Sequence, residues 1–163
     1  MSIRWATTDD WPSIWPIFDE IVRAGETYAF PLDLTIETAM PWWMDQNTIV
    51  LEDDGVVLGT AKMGPNRPGR GAHIGTASFM VSSAAQGRGV GRRLGEHVVA
   101  WHRERDFAGI QFNAVVETNT VAVRLWQDLG FEVIGTVPGA FDSATNGRVG
   151  LHVMFLNLRL TVP

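Results

Sequence analysis

The chain has 163 residues, 45% hydrophobic and 19% charged, a balance that excludes a disordered chain and predicts one globular domain, residues 1–163, with a real core. A formal net charge of −5 argues against general affinity for nucleic acid or an anionic membrane. The absence of cysteine excludes a thiol nucleophile, a disulfide framework and a cysteine metal site, and with no leader-like segment or long apolar span in view the expectation is a cytoplasmic enzyme.

Residues 3–6 read as a first strand. Thr7 or Thr8 caps a helix from Asp9, with Pro12 tolerated in its first turn. Ile14, Ile17, Phe18, Ile21 and Val22 form its apolar stripe, Trp11 and Trp15 lie one turn apart as a packing ridge, and Gly25 ends it. Residues 26–34 are loop-like and carry Tyr28, Phe30 and Pro31. Thr35 caps a second helix, in which Pro41 predicts a late start or a bend. Adjacent Trp42 and Trp43 cannot face the same way on that helix, so one is expected to line a pocket or an interface.

Residues 47–51 and 56–63 read as strands joined by Asp53-Asp54-Gly55, a strong hairpin signal. A Pro/Gly/Arg loop covers 64–71, a strand 72–81 and a helix 89–106, on which His97 and His102 are expected to face solvent. The nearly continuous apolar run 110–116 predicts a strand buried on both faces. Asn119 caps the next helix and Gly130 ends it. Two final strands, 131–137 and 149–158, are expected with a long Gly/Pro/Asn loop, 138–147, between them.

The sharpest chemical signal is Gln86-Gly87-Arg88-Gly89-Val90-Gly91, where a strand ending in Phe79-Met80-Val81 gives way to a helix. The first N–H groups of a helix have no internal partner and lie at the positive end of its dipole. Glycines let a pyrophosphate approach that backbone, and Arg88 and Arg92 add fixed positive charge. The expectation is an anion site for a phosphate-bearing cofactor. A P-loop is excluded because no lysine follows the glycines. A dinucleotide site is kept alive by Glu117 after the next apolar run, against the loop's late position in the chain.

The pattern Gln-x-x-Gly-x-Gly, together with Asn119-Thr120-Val121-Ala122-Val123-Arg124-Leu125-Trp126-Gln127-Asp128-Leu129-Gly130-Phe131, resembles the acetyl-CoA loop and downstream helix of the GNAT family of N-acetyltransferases. The resemblance implies an α+β fold, a mixed and mostly antiparallel sheet of about seven strands flanked by helices, with a splayed strand pair holding the cofactor. It implies acetyl-CoA as cosubstrate, with the pyrophosphate on Gln86, Gly87, Arg88, Gly89, Val90, Gly91 and Arg92. The pantetheine arm would lie along Phe79, Met80 and Val81, with Asn119 bonding it and Trp126 shaping the slot. An amine would attack the thioester directly while a backbone N–H of the same strand stabilises the oxyanion.

The family's helix usually carries Tyr where this chain has Trp126, and an indole is far too weak an acid to protonate a thiolate. Tyr28 and Glu117 are the catalytic candidates, with Glu26 and His73 as further options for the base; each also has a purely structural reading. No cluster has metal-ligand spacing.

Glu26-Thr27-Tyr28-Ala29-Phe30, Ala77-Ser78-Phe79-Met80-Val81, the strand around Asn113 and Val137-Pro138-Gly139-Ala140-Phe141 are similar to a GNAT branch that includes yeast enzymes acetylating azetidine-2-carboxylate, a proline analogue. In that branch two Asn contact substrate; Thr76 stands at the first position and Asn113 at the second. The acceptor site is therefore expected from Tyr28, Phe30, Thr76 and Asn113, with Trp42 and Trp43 near. A small-molecule amine is the leading acceptor. A peptide or protein N-terminus, and a module that binds acetyl-CoA without turnover, remain alternatives. Many family members pair, so a homodimer is the candidate assembly.

Overall fold

A computed structural model describes residues 1–159. The elements follow in the order β1 (Ser2–Trp5), α1 (Trp11–Ala24), α2 (Ile36–Trp43), β2 (Thr48–Asp53), β3 (Val56–Pro65), β4 (Ile74–Val81), α3 (Val90–Glu104), β5 (Gly109–Val116), α4 (Thr120–Asp128), β6 (Glu132–Ser143) and β7 (Gly147–Asn157). Seven strands form one sheet in the order β1-β2-β3-β4-β5-β7-β6. The β4–β5 pair is parallel, whereas β1–β2, β2–β3, β5–β7 and β6–β7 are antiparallel. This is the expected mostly antiparallel α+β fold. Packing divides the chain into two compact units, Met1–Lys62 with Ser78–Leu94, and Met63–Ala77 with the chain from Gly95 onward.

In the first unit, α1 buries Trp11, Ile14, Ile17, Phe18 and Val22 on one face, against Ala39, Trp43, Val50 and Met80. Gly25 stops the helix at φ 68, a left-handed conformation that costs a glycine little. Thr35 caps α2 by accepting a bond from the Thr38 N–H. Pro41 lies inside α2 without ending it, and the helix is only 8 residues long. The hairpin between β2 and β3 turns on Asp54 (φ 48) and Gly55 (φ 78), the two positive φ values that a two-residue primed turn requires.

Arg4 grips Asp10 with two bonds, Nη2 to Oδ1 at 2.7 Å and Nη1 to Oδ2 at 2.9 Å, and the Thr7 N–H donates to the same carboxylate. The Arg4 bond holds the Asp10 carboxyl down at about 2. A lowered carboxylate pKa stabilises the fold above the unfolded value and loses that contribution as pH falls from about 4 to about 2. Arg4 is 42% exposed, so screening reduces the effect to about 1–2 kcal/mol. Asp10→Asn is expected to lower stability by that amount at pH 7, with the difference from the wild-type chain vanishing in urea melts near pH 2.

Three expectations are corrected in the second unit. Residues 138–147 are not a long loop: β6 runs on to Ser143, and its register against β7 shifts between Val137 and Phe141. Pro138 and Gly139 (φ 60) mark that bulge, and β6 is the edge strand, where a missing N–H costs little. β5 is not buried throughout, because Asn113 and Ala114 are exposed at an irregularity between Phe112 and Val115. His102 does not face solvent; it is 0% exposed. Its Nδ1 bonds the Val98 carbonyl at 2.8 Å, and Trp101 and Phe107 meet the ring edge-on.

Candidate active site

β4 leads into a short turn, Ser83–Ala85, and then into the glycine loop. Gly87 and Gly89 adopt φ 76 and 77, and a Cβ built on either meets nothing within 4 Å. The Arg93 N–H bonds the Gly89 carbonyl at 3.1 Å, the first helical bond of α3. The N–H groups of Val90 and Gly91 therefore precede the helical ladder. Val90 is buried and anchors this end of the helix. A Cβ on Gly59 would come within 2.8 Å of Val90 and 3.1 Å of Leu94, so β3 needs a glycine for α3 to seat on it.

Open space over two left-handed glycines, beside the Val90 and Gly91 N–H groups at a helix N-terminus, fits a pyrophosphate. Arg88 already holds Asp53, Nη2 to Oδ2 at 2.8 Å. A phosphate at the loop would share or replace that carboxylate.

The backbone of β4 shows where Tyr28 acts. The Ser82 N–H bonds the Leu58 carbonyl at one end of the β3–β4 pair, and the Asn66 N–H bonds the Ile74 carbonyl at the other. Both ends give the same register, in which the even-numbered residues of β4 point their N–H and C=O toward β3. Those of Phe79 and Val81 point the other way. On that side, among the described residues, β4 pairs with β5 only at Ile74 and Gly75.

The Tyr28 hydroxyl takes up both groups of Phe79, accepting from its N–H at 2.9 Å and donating to its carbonyl at 2.7 Å. Desolvation raises the phenol's pKa above its ordinary value. A proton held to a carbonyl on a weakened acid suits an anchor, not a donor to a thiolate of pKa about 8.5. Tyr28→Phe is expected to cost about 1–3 kcal/mol of stability and to leave the shape of the pH–rate profile unchanged; loss of an alkaline limb would restore Tyr28 as an acid.

Tyr28 also opens an aromatic layer. It stacks on Phe30 at 5.1 Å, and Phe30 meets Phe18 at 5.5 Å and Trp42 at 5.7 Å. The two tryptophans of α2 separate as their spacing requires. Trp43 is fully buried with its Nε1 on Thr60 Oγ1, whereas Trp42 is 45% exposed.

The other unit holds the remaining expected residues. Thr76 is half-buried on β4. Asn113 is exposed and not buried; its Nδ2 donates to Asn66 Oδ1 at 2.7 Å and its Oδ1 accepts from Gln111 at 2.8 Å. Asn119 Oδ1 caps α4 by accepting from the Ala122 N–H. Trp126 is 7% exposed, packed against Phe112 and Phe131.

Glu117 is engaged structurally. Its carboxylate accepts the Gly150 N–H, and its own N–H donates to the Gly150 carbonyl, so it locks β5 to β7. His73 is exposed. Among the described residues no cluster of metal-ligating side chains occurs.

Lys62, absent from the sequence-based candidates, stands on β3 with its Nζ 2.7 Å from the Trp42 carbonyl and 5.6 Å from the Trp43 ring centre. The available signal is that it is the chain's only lysine.

Residues 5–131 match the model of the acetyltransferase (GNAT) family. The chain belongs to the GNAT family and carries its acetyltransferase domain, whose donor is acetyl-CoA. A GCN5-related N-acetyltransferase from Kribbella flavida is 57% identical, with 96% of each chain covered and a TM-score of 0.92. The putative acetyltransferase yncA from Salmonella typhimurium, solved with its cofactor acetyl-CoA, is 26% identical at a TM-score of 0.82, covering 97% of this chain and 94% of that one. N-acetyltransferase aca1 of Schizosaccharomyces pombe is 34% identical over 84 residues, 52% of this chain and 40% of the relative. The chain spans less than half the length of the curated relatives it matches.

Proposed function

We propose that the protein moves the acetyl group of acetyl-CoA to the amine of a small molecule, by direct attack in a ternary complex. The observation that carries the reading is the loop at Gly87–Gly91, with two open left-handed glycines followed by the Val90 and Gly91 N–H groups that precede the first bond of α3. The donor supplies an activated acyl group. The amine nitrogen bonds to the thioester carbonyl carbon, the C–S bond breaks, the thiolate leaves and the amine proton passes to solvent.

The chain's own residues position and hold. The loop grips the phosphates. Tyr28 fixes Phe79 and so the course of β4. Val81 offers an N–H on the same side of that strand. Trp126 serves as packing. The aromatic layer from Tyr28 to Trp42 supports a small acceptor, an amino acid or analogue, and the partial similarity to N-acetyltransferase aca1 agrees with transfer to an amine. A homodimer belongs to the same reading, because β6 is an edge strand and exposes Val133, Ile134 and Val137.

The acceptor class is tested by CoA release with cyclic and acyclic amino acids, polyamines and short peptides, against no-acceptor controls. Selective turnover of small amino acids is expected. Turnover of peptides alone would replace the small-molecule acceptor with a protein N-terminus.

A further inference from the structure

Lys62 is the only lysine among 163 residues, and it sits on the unit that carries the glycine loop and Tyr28. The β3–β4 register fixed by the Leu58–Ser82 and Asn66–Ile74 bonds puts Lys62 across from Ser78, on the same face of the sheet. The Ser78 side chain in turn lies close enough to the Tyr28 hydroxyl to favour its ionised form. The lysine stem thus runs beside the residue that neighbours Phe79, and its ammonium reaches the Trp42 carbonyl over the face of Trp43.

This cation makes no direct ion pair among the described residues, and Asp45 acts on it through charge alone. Arg4 is paired with Asp10 and Glu52, Arg23 with Asp19 and Arg88 with Asp53. Desolvation lowers its pKa, and Asp45 opposes that only as a more distant charge. A half-buried ammonium is costly without an anion. One of its three N–H donors is spent on Trp42, which leaves two for a carboxylate. Trp42, whose carbonyl takes the ammonium, exposes its ring and meets Phe30 at 5.7 Å, which forms an apolar surface at the same helix end.

We propose that Lys62 is the anion subsite for the acceptor: the substrate is an amine that also carries a carboxylate, held by Lys62, with its apolar part on the Phe30–Trp42 wall. The inference rests on the acetyltransferase reading for the identity of the bound molecule. The first arm of its test, a binding measurement, does not depend on turnover.

A single lysine makes the chain its own probe, because ¹³Cε-lysine labelling gives one side-chain signal. L-leucine and L-proline, added with CoA present, are expected to shift that signal and raise the lysine's pKa, while L-leucinamide, L-prolinamide and isopentylamine leave it in place. In the CoA-release assay Lys62→Met is expected to lower kcat/KM for the carboxylate acceptors by about 30-fold or more, mainly through KM. It should leave the amides nearly unchanged, and Lys62→Arg should recover part of the loss.

A lysine signal that no carboxylate moves would overturn the subsite, as would equal effects of Lys62→Met on acid and amide. Acetylation of Lys62 itself, seen as loss of its titration, would also overturn it by making the residue an acceptor. Calorimetry with acetyl-CoA separates these outcomes from failure of the donor reading.

Discussion

Gly89→Val is expected to abolish acetyl-CoA binding while the domain stays folded. Gly89 stands at φ 77 and directly precedes α3, with open space where a side chain would project. Nothing in the protein would clash with the added side chain. The penalty arises from the backbone: a β-branched residue is a genuine outlier in the left-handed region, and holding one there costs about 1–3 kcal/mol. The loop relieves this by rotating Gly89, which turns the donors of Val90 and Gly91 away from their common target. The branched side chain also fills the space through which phosphate oxygens would approach.

Affinity for acetyl-CoA should fall by at least about 100-fold, as expected when several charge-assisted bonds are lost together. The loop is exposed and Val90 keeps its seat against Gly59, so the thermal transition should move little. Calorimetry on the variant checks both points. Near-normal binding would remove the loop from the donor site.

Gly75→Ala is expected to destabilise the chain by about 3 kcal/mol or more, at the upper end for overpacking. A Cβ at Gly75 falls well inside van der Waals contact with Cδ2 and Nε2 of His102. The imidazole cannot step aside. Its Nδ1 is held by the Val98 carbonyl, and Trp101 and Phe107 stand edge-on to it at centroid distances of 4.8 and 4.7 Å. Gly75 also pairs with Ile110 in the short β4–β5 ladder, so β4 cannot yield without opening that join.

The pair can be tested as a cycle. His102→Ala should itself be destabilising, but the double variant should be more stable than the two single losses predict, because the added methyl enters the space the imidazole vacates. Urea denaturation with an unchanged m-value reads the effect. A Gly75→Ala chain as stable as the wild type would show that the buried histidine does not constrain β4.

Much of this was legible from local signals. Asp54-Gly55 specified its hairpin turn, Gly25 its helix end and Thr35 its cap, since each acts through its own backbone. The turn at the glycine loop was legible for the same reason: Gly87 and Gly89 take the left-handed backbone that glycine allows, directly before α3. The misread elements depend on what lies across the sheet. Pro138 and Gly139 mean a loop in an isolated chain and a bulge on an edge strand paired with β7.

His102 looks polar and therefore exposed, until a glycine on a neighbouring strand leaves room for its ring. Glu117 looks like a free carboxylate until Gly150, far along the chain, supplies its N–H. Asn113 suggested a buried amide because its neighbours are apolar, but the irregularity of β5 turns it outward. Lys62 was missed because no motif marks it; its meaning comes from Ser78, Trp42 and Trp43, which are distant in sequence or on another element.

The most direct test is to incubate the wild-type chain with acetyl-CoA and the amino-acid panel, then measure released CoA and acetylated acceptor together. The account predicts equal amounts of the two with at least one carboxylate-bearing small amine, and none without an acceptor. Tight binding of acetyl-CoA with no acetylated product from any small amine or peptide would contradict it and leave a domain that binds the donor without using it.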